Sequence, residues 1–188
     1  MPKLSNVAYV ILGFLETSEE PQSGYDLKQH VDKSTRFFFA SSYGQIYPEL
    51  GRLAERGLIA GTEQSQGRRA RVLYELTDAG RKELDDWLRS PGVSFEMRDE
   101  GLLKLFFSGD LEPAALRERV AEIRAARAGG LETLHAIQDE VGDHLDPLKQ
   151  LVLDYGKGLH EWAVSWCDEA DRRIDALERD LTPEPREK

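Results

Sequence analysis

The chain has 188 residues, 40% of them hydrophobic and 32% charged, which is the make-up of a soluble globular protein forming one domain or two small ones. A single cysteine, Cys167, excludes an internal disulfide and a cysteine-built zinc site. The net charge of -10 argues against nucleic acid only when taken whole, because residues 1–89 hold 12 Lys and Arg against 13 Asp and Glu while residues 90–188 hold 13 against 22.

Leu4, Val7, Ala8, Ile11, Leu12 and Leu15 recur with helical spacing and predict a first helix over 4–17. Its apolar run VAYVILGFL is about half of what a bilayer span needs. No basic start or small-residue cleavage site accompanies it, so no membrane association and a cytoplasmic location are expected. SEEPQSG breaks that helix, and Ser23 with Asp26 three residues on resembles a capping box opening a second helix to about Lys33. The segment SSYGQIYPELGRL at 41–53 predicts a third, amphipathic helix through Ile46, Leu50, Leu53 and Ala54, ending at Gly57. Pro48 lies inside it, where a proline ordinarily costs about 3 kcal/mol. Gly44, four residues back, relieves the clash, and the expected bend tilts SSYGQ outward from the core. LIAGT and RVLYELT then predict two strands joined by EQSQGRRA, the second showing period-two alternation of Val72, Tyr74 and Leu76. Thr77 caps a fourth helix with Leu84, Trp87 and Leu88 on its buried stripe.

SPGVS at 90–94 is the one convincing linker, and the charge composition changes there. Beyond it the pattern predicts a short helix over about 95–107 and a long one with Pro113 in its first turn. The long pattern continues past Gly129-Gly130, a pair that either kinks or breaks the helix. The last helix starts near Pro147 and keeps apolar spacing for about 34 residues, a rod of roughly 50 Å. So long a seam calls for cover from a partner chain, with Leu151, Tyr155, Leu159, Trp162, Trp166 and Ile174 as its dimer contacts. The fold class is mainly α with a small β-hairpin: a winged helix-turn-helix over 1–89, a linker at 90–94 and a helical dimerisation domain over 95–188.

In a winged helix the third helix enters the major groove and the hairpin meets an adjacent backbone. Ser41 and Ser42 suit phosphates. Gln45 can pair with adenine, and Tyr43 and Tyr47 reach phosphate, sugar or a thymine methyl. Arg68, Arg69 and Arg71, with no acidic neighbour in QSQGRRAR, are the expected wing contacts with the DNA backbone or minor groove.

SGYDL at 23–27, YGQIYPEL followed by GLI at 43–59, and YELTDAG at 74–80 resemble the PadR-type transcriptional regulators. The resemblance covers the first 89 residues, and the remainder is similar to the longer subfamily with a helical dimerising domain. It implies a homodimer that binds a pseudo-palindromic operator in double-stranded DNA, as a repressor, and that a small aromatic or drug-like effector releases. Trp87, Phe95, Phe106 and Trp162 are the candidate effector walls. The rival reading is a winged-helix module that binds another protein and no DNA. No phosphate loop, nucleophile elbow or zinc signature occurs, and His135 with Asp139, like His144 with Asp143 and Asp146, reads as solvated, so no enzyme, metal or cofactor is expected.

Overall fold

The computed structural model describes residues 4–35, 45–66, 69–92, 97–141 and 145–181. The chain divides into two compact units, Met1–Ser94 and Phe95–Lys188.

In the first unit Ser5 caps α1 (Asn6–Thr17) by accepting from the Ala8 amide at 3.1 Å. Val7, Ala8, Ile11, Leu12 and Leu15 are buried along one stripe of that helix. α1 packs against α2 (Gly24–Lys33), α3 (Ile46–Glu55) and α4 (Asp78–Arg89). Leu12, Leu27, Leu50 and Leu53 are all but sealed from solvent, each burial contributing roughly 1.5–3 kcal/mol. A three-stranded antiparallel sheet completes the unit: β1 (Gln22–Ser23), β2 (Ile59–Gln66) and β3 (Arg69–Leu76), in the order β1-β3-β2.

Three details differ from the sequence expectation. β1 lies in a segment that reads as an irregular break, where two residues leave no alternation to detect, yet Ser23 pairs with Leu73 and docks the start of α2 on the sheet. The strands of the hairpin run on through residues that read as loop, with Ile59 opposite Leu76 and Gln66 opposite Arg69. Their outer ends are polar, so no apolar period marks them. Finally, α3 begins at Ile46, so Pro48 is its third residue. A proline there gives up one of the first four N–H groups, which have no intrahelical acceptor, and no bend is needed to accommodate it. Gly44, which the bend invoked, lies outside the described residues.

The joint between α3 and α4 depends on two glycines. Gly57 takes φ +69, the left-handed turn that ends α3. The Thr77 hydroxyl donates to the Gly57 carbonyl at 2.8 Å and accepts from the Gly80 amide at 3.1 Å. A side chain at Gly80 would collide with the Leu58 carbonyl, so only glycine lets the first turn of α4 settle there.

The second unit consists of α5 (Glu100–Phe106), α6 (Pro113–Val141) and α7 (Pro147–Leu181). Asp99 caps α5, accepting from the Leu102 amide at 3.0 Å, and its carboxylate is also paired with Arg127 of α6. α6 and α7 run antiparallel. Their core gathers Val120, Ile123, Cys167 and Ile174, Gly130 faces His160, Leu134 faces Gly156, and Gln150 bonds Gln138 at 2.8 Å. Arg117 pairs with Asp175 at 2.8 Å and with Glu178; Arg124 pairs with Asp171 at 2.6 Å and with Asp168. Part of the negative charge of α7 is thus matched within the chain.

No break occurs at Gly129-Gly130, because α6 passes through the pair as one continuous helix. Gly130 is a packing notch: a methyl there would overlap the His160 ring, lying 2.8 Å from Nδ1 and 2.9 Å from Nε2. A methyl at Gly129 would meet nothing within 4 Å and would point to open space. The His160 Nδ1 is buried in this notch without a hydrogen-bond partner.

Candidate nucleic-acid interface

Three contacts at the first turn of α2 bring α3 and the hairpin together. The pairing of Ser23 with Leu73 ties that turn to β3. At Gly24 a Cβ would stand 2.7 Å from Cε1 of Tyr47, so the tyrosine ring of α3 rests directly on the glycine backbone. The third contact is Asp26. It accepts from the Ser23 amide at 2.9 Å and the Ser23 hydroxyl at 2.6 Å, completing the capping box, and Arg71 of β3 brings Nη2 to 3.9 Å from Oδ2. The Ser23 hydroxyl, then the Ser23 amide and Arg71, hold the Asp26 carboxyl below its ordinary value.

The site residues expected from the sequence fall out as follows. Gln45 occupies the N-cap position of α3, exposed and making no capping hydrogen bond, so its carboxamide is available to a base edge. Tyr47 is 59% exposed although its ring edge touches Gly24. Arg69 opens β3 opposite Gln66. Ser41, Ser42, Tyr43 and Arg68 lie outside the described residues. No acidic residue adjoins the arginines within QSQGRRAR, yet in space Arg71 has Asp26, 45 residues away in sequence, at 3.9 Å. Tyr25, exposed on the same turn of α2 and accepting from Gln29 at 2.8 Å, is a further aromatic; it lies in SGYDL but not among the expected duplex contacts.

α7 carries apolar residues on two faces. Cys167 and Ile174 are buried with Val120 and Ile123 of α6, and Leu153 is buried as well, so Ile174 belongs inside the chain rather than to an outward contact as expected. Leu148, Leu151, Tyr155, Leu159, Trp162 and Leu177 are exposed and repeat with spacings of three and four, apart from the last interval. Trp166 stands between the two faces, packed at the edge of the inner cluster. Leu177 takes the outward position expected of Ile174; about one helical turn separates them.

Of the candidate effector walls, Trp87 stacks on Tyr9 at 4.4 Å and is half-buried against the core of the first unit. Phe106 is 81% exposed and meets Phe107 edge-on at 5.0 Å. Beside them a broad groove of about 620 Å³ runs along α5, lined by Leu103, Lys104, Phe107, Leu111 and Arg119 among others. Phe95 lies outside the described residues. No helix among the described residues is long and apolar enough to cross a membrane.

A helical trio with an antiparallel hairpin, followed by a helical second unit, defines a winged helix-turn-helix protein of the two-unit type. Residues 11–86 match the transcriptional regulator PadR-like family, and residues 97–175 match the virulence activator alpha C-terminal family. The negative transcriptional regulator PadR of Bacillus subtilis is 30% identical over 177 residues, covering 89% of this chain and 96% of that protein. The crystal structure of Bacillus subtilis PadR in complex with operator DNA superimposes with a TM-score of 0.78 at 28% identity, covering 90% of this chain and 99% of that one. The same protein in complex with p-coumaric acid gives a TM-score of 0.71 at 28% identity over 90% and 98% of the two chains. The chain belongs to the PadR-like family of transcriptional regulators.

Proposed function

We propose that this regulator is a repressor that grips a pseudo-palindromic operator as a homodimer and lets go when a small aromatic acid binds. Residues 1–89 hold the duplex through the start of α3 and the hairpin, 90–94 act as the linker, and 95–188 dimerise through the outer face of α7. The observation that carries the reading is that Tyr47 of α3 and Arg71 of β3 both meet the first turn of α2, which puts a groove-reading element beside a phosphate-binding one. The likeness to Bacillus subtilis PadR, seen with operator DNA and with p-coumaric acid, supports the same assignment. Gln45 and Tyr47, with Ser41, Ser42 and Tyr43 ahead of them, read the duplex, and Arg68, Arg69 and Arg71 hold its backbone. Two copies present their α3 helices about 34 Å apart, or a multiple of that, to reach successive major grooves. Phe106 and Trp162 are the exposed aromatics that an aromatic acid would meet, with Trp87 and Phe95 the remaining candidates.

The test is binding to duplexes recovered from random sequence by the wild-type protein, measured across salt concentrations. Replacing Arg68, Arg69 and Arg71 together with alanine lowers affinity and flattens the dependence of log K on log salt by up to about 0.9 for each phosphate no longer neutralised. An unchanged slope and affinity in that triple variant refutes the wing assignment.

A further inference from the structure

Asp26 is an acid on the turn where α3 and the hairpin, the two elements assigned above to the duplex, come together. Its carboxylate does two things at once: it closes the α2 capping box through Ser23, and it lies 3.9 Å from the guanidinium of Arg71. At that separation the second contact is a charge attraction without a hydrogen bond. Both side chains are partly open to solvent, Arg71 at 47% and Asp26 at 34%, so the pairing is loose and reversible. Asp26 is itself anchored, because the two Ser23 bonds fix its oxygen on the turn that β1 pins to β3. Arg71 is the partner that can leave.

We propose that Asp26 is a specificity-determining residue, a competing anion that holds Arg71 until the recognition helix is seated. This rests on the DNA-binding reading above. A phosphate must displace Asp26 to win Arg71. On a matching duplex the contacts of α3 press the hairpin against the backbone and the exchange goes through. On unrelated DNA, held only by sequence-independent charge, Arg71 remains on Asp26 and that phosphate contact is forgone. The carboxylate thereby weakens non-specific binding more than specific binding and widens the ratio between them.

The experiment compares two probes: a duplex of about 30 base pairs enriched from random sequence by the wild-type protein, and a scrambled duplex of the same composition. Asp26→Asn keeps an oxygen for the Ser23 amide and removes the charge. It raises affinity for the scrambled duplex about threefold, the size set by release of one half-exposed ion pair, and steepens that duplex's salt slope by about 0.9. The enriched duplex gains less, so discrimination falls. Asp26→Glu, which restores the charge at a position where glutamate also completes a capping box, returns both values toward wild type. Adding Arg71→Gln to the D26N background abolishes the gain. Arg71→Gln alone gives a second reading that needs no change at Asp26: its salt slope drops by about 0.9 on the enriched duplex and by less than half of that on the scrambled one. Equal drops on both duplexes, or a D26N variant that melts like wild type and shows an unchanged slope on scrambled DNA, overturn the proposal. Those results leave the DNA-binding reading standing, whereas a wild-type protein that enriches no duplex removes both.

Discussion

Gly129 and Gly130 are neighbours in one helix with opposite surroundings, which makes them a matched pair for testing how α6 and α7 hold together. Alanine in an exposed helix interior is favoured over glycine by about 1 kcal/mol. Gly129 faces open space, so Gly129→Ala keeps that gain and raises the melting temperature by about 4–8 °C for a unit of this size. Gly130→Ala has the same intrinsic gain, but its methyl would lie 2.8 and 2.9 Å from the two ring nitrogens of His160 and closer still to Cε1. Either His160 leaves its rotamer or the helices separate, and overpacking of that kind costs about 1–3 kcal/mol. With the two effects combined, Gly130→Ala falls below wild type by about 1 kcal/mol, and His160→Ala in the same chain relieves the conflict. Helix ellipticity followed against temperature, at fixed protein concentration, measures all three variants. If the two glycine variants shift the melting temperature in the same direction by the same amount, the notch is not where the helices meet.

Burial, and then the Arg127 charge, push the His160 imidazole below its ordinary value. The unfolded chain therefore takes up a proton at a higher pH than the folded one. Stability is complete above about pH 6.5 and declines as the pH falls from there toward the folded-state value, as urea midpoints at about pH 7.5 and about pH 5.5 will show; His160→Asn flattens the decline. The outer face of α7 is tested by Leu159→Asp with Trp162→Asp. Both positions are exposed in the single chain, so sedimentation reports monomers that retain full helix content, and a persistent dimer disproves the assignment.

Much of the first unit is legible in the sequence because its motifs are joints with a local chemistry. Ser23 and Asp26 form their capping box within four residues, Gly57 ends α3, and Thr77 caps α4, each visible as a residue type at a fixed offset. Arg71 beside Asp26 is not legible, because the fold alone joins two segments 45 residues apart. Apolar spacing carried back through Pro48 starts α3 too early, when the proline itself marks a first turn. In α7 the period is right and the partner is hidden. Residues three and four apart populate both sides of the helix, and a one-dimensional pattern does not say that Ile174 turns toward α6 while Leu177 turns away.

The placement of the three tryptophans gives the protein built-in optical reporters. Trp87, stacked on Tyr9, senses melting of the amino-terminal unit; Trp162, on the bare side of α7, senses the arrival of another molecule; Trp166 senses loosening of the helix pair. Replacing any two with phenylalanine leaves a single emitter, so unfolding, self-association and internal repacking become separable by colour and quenching in unlabelled material.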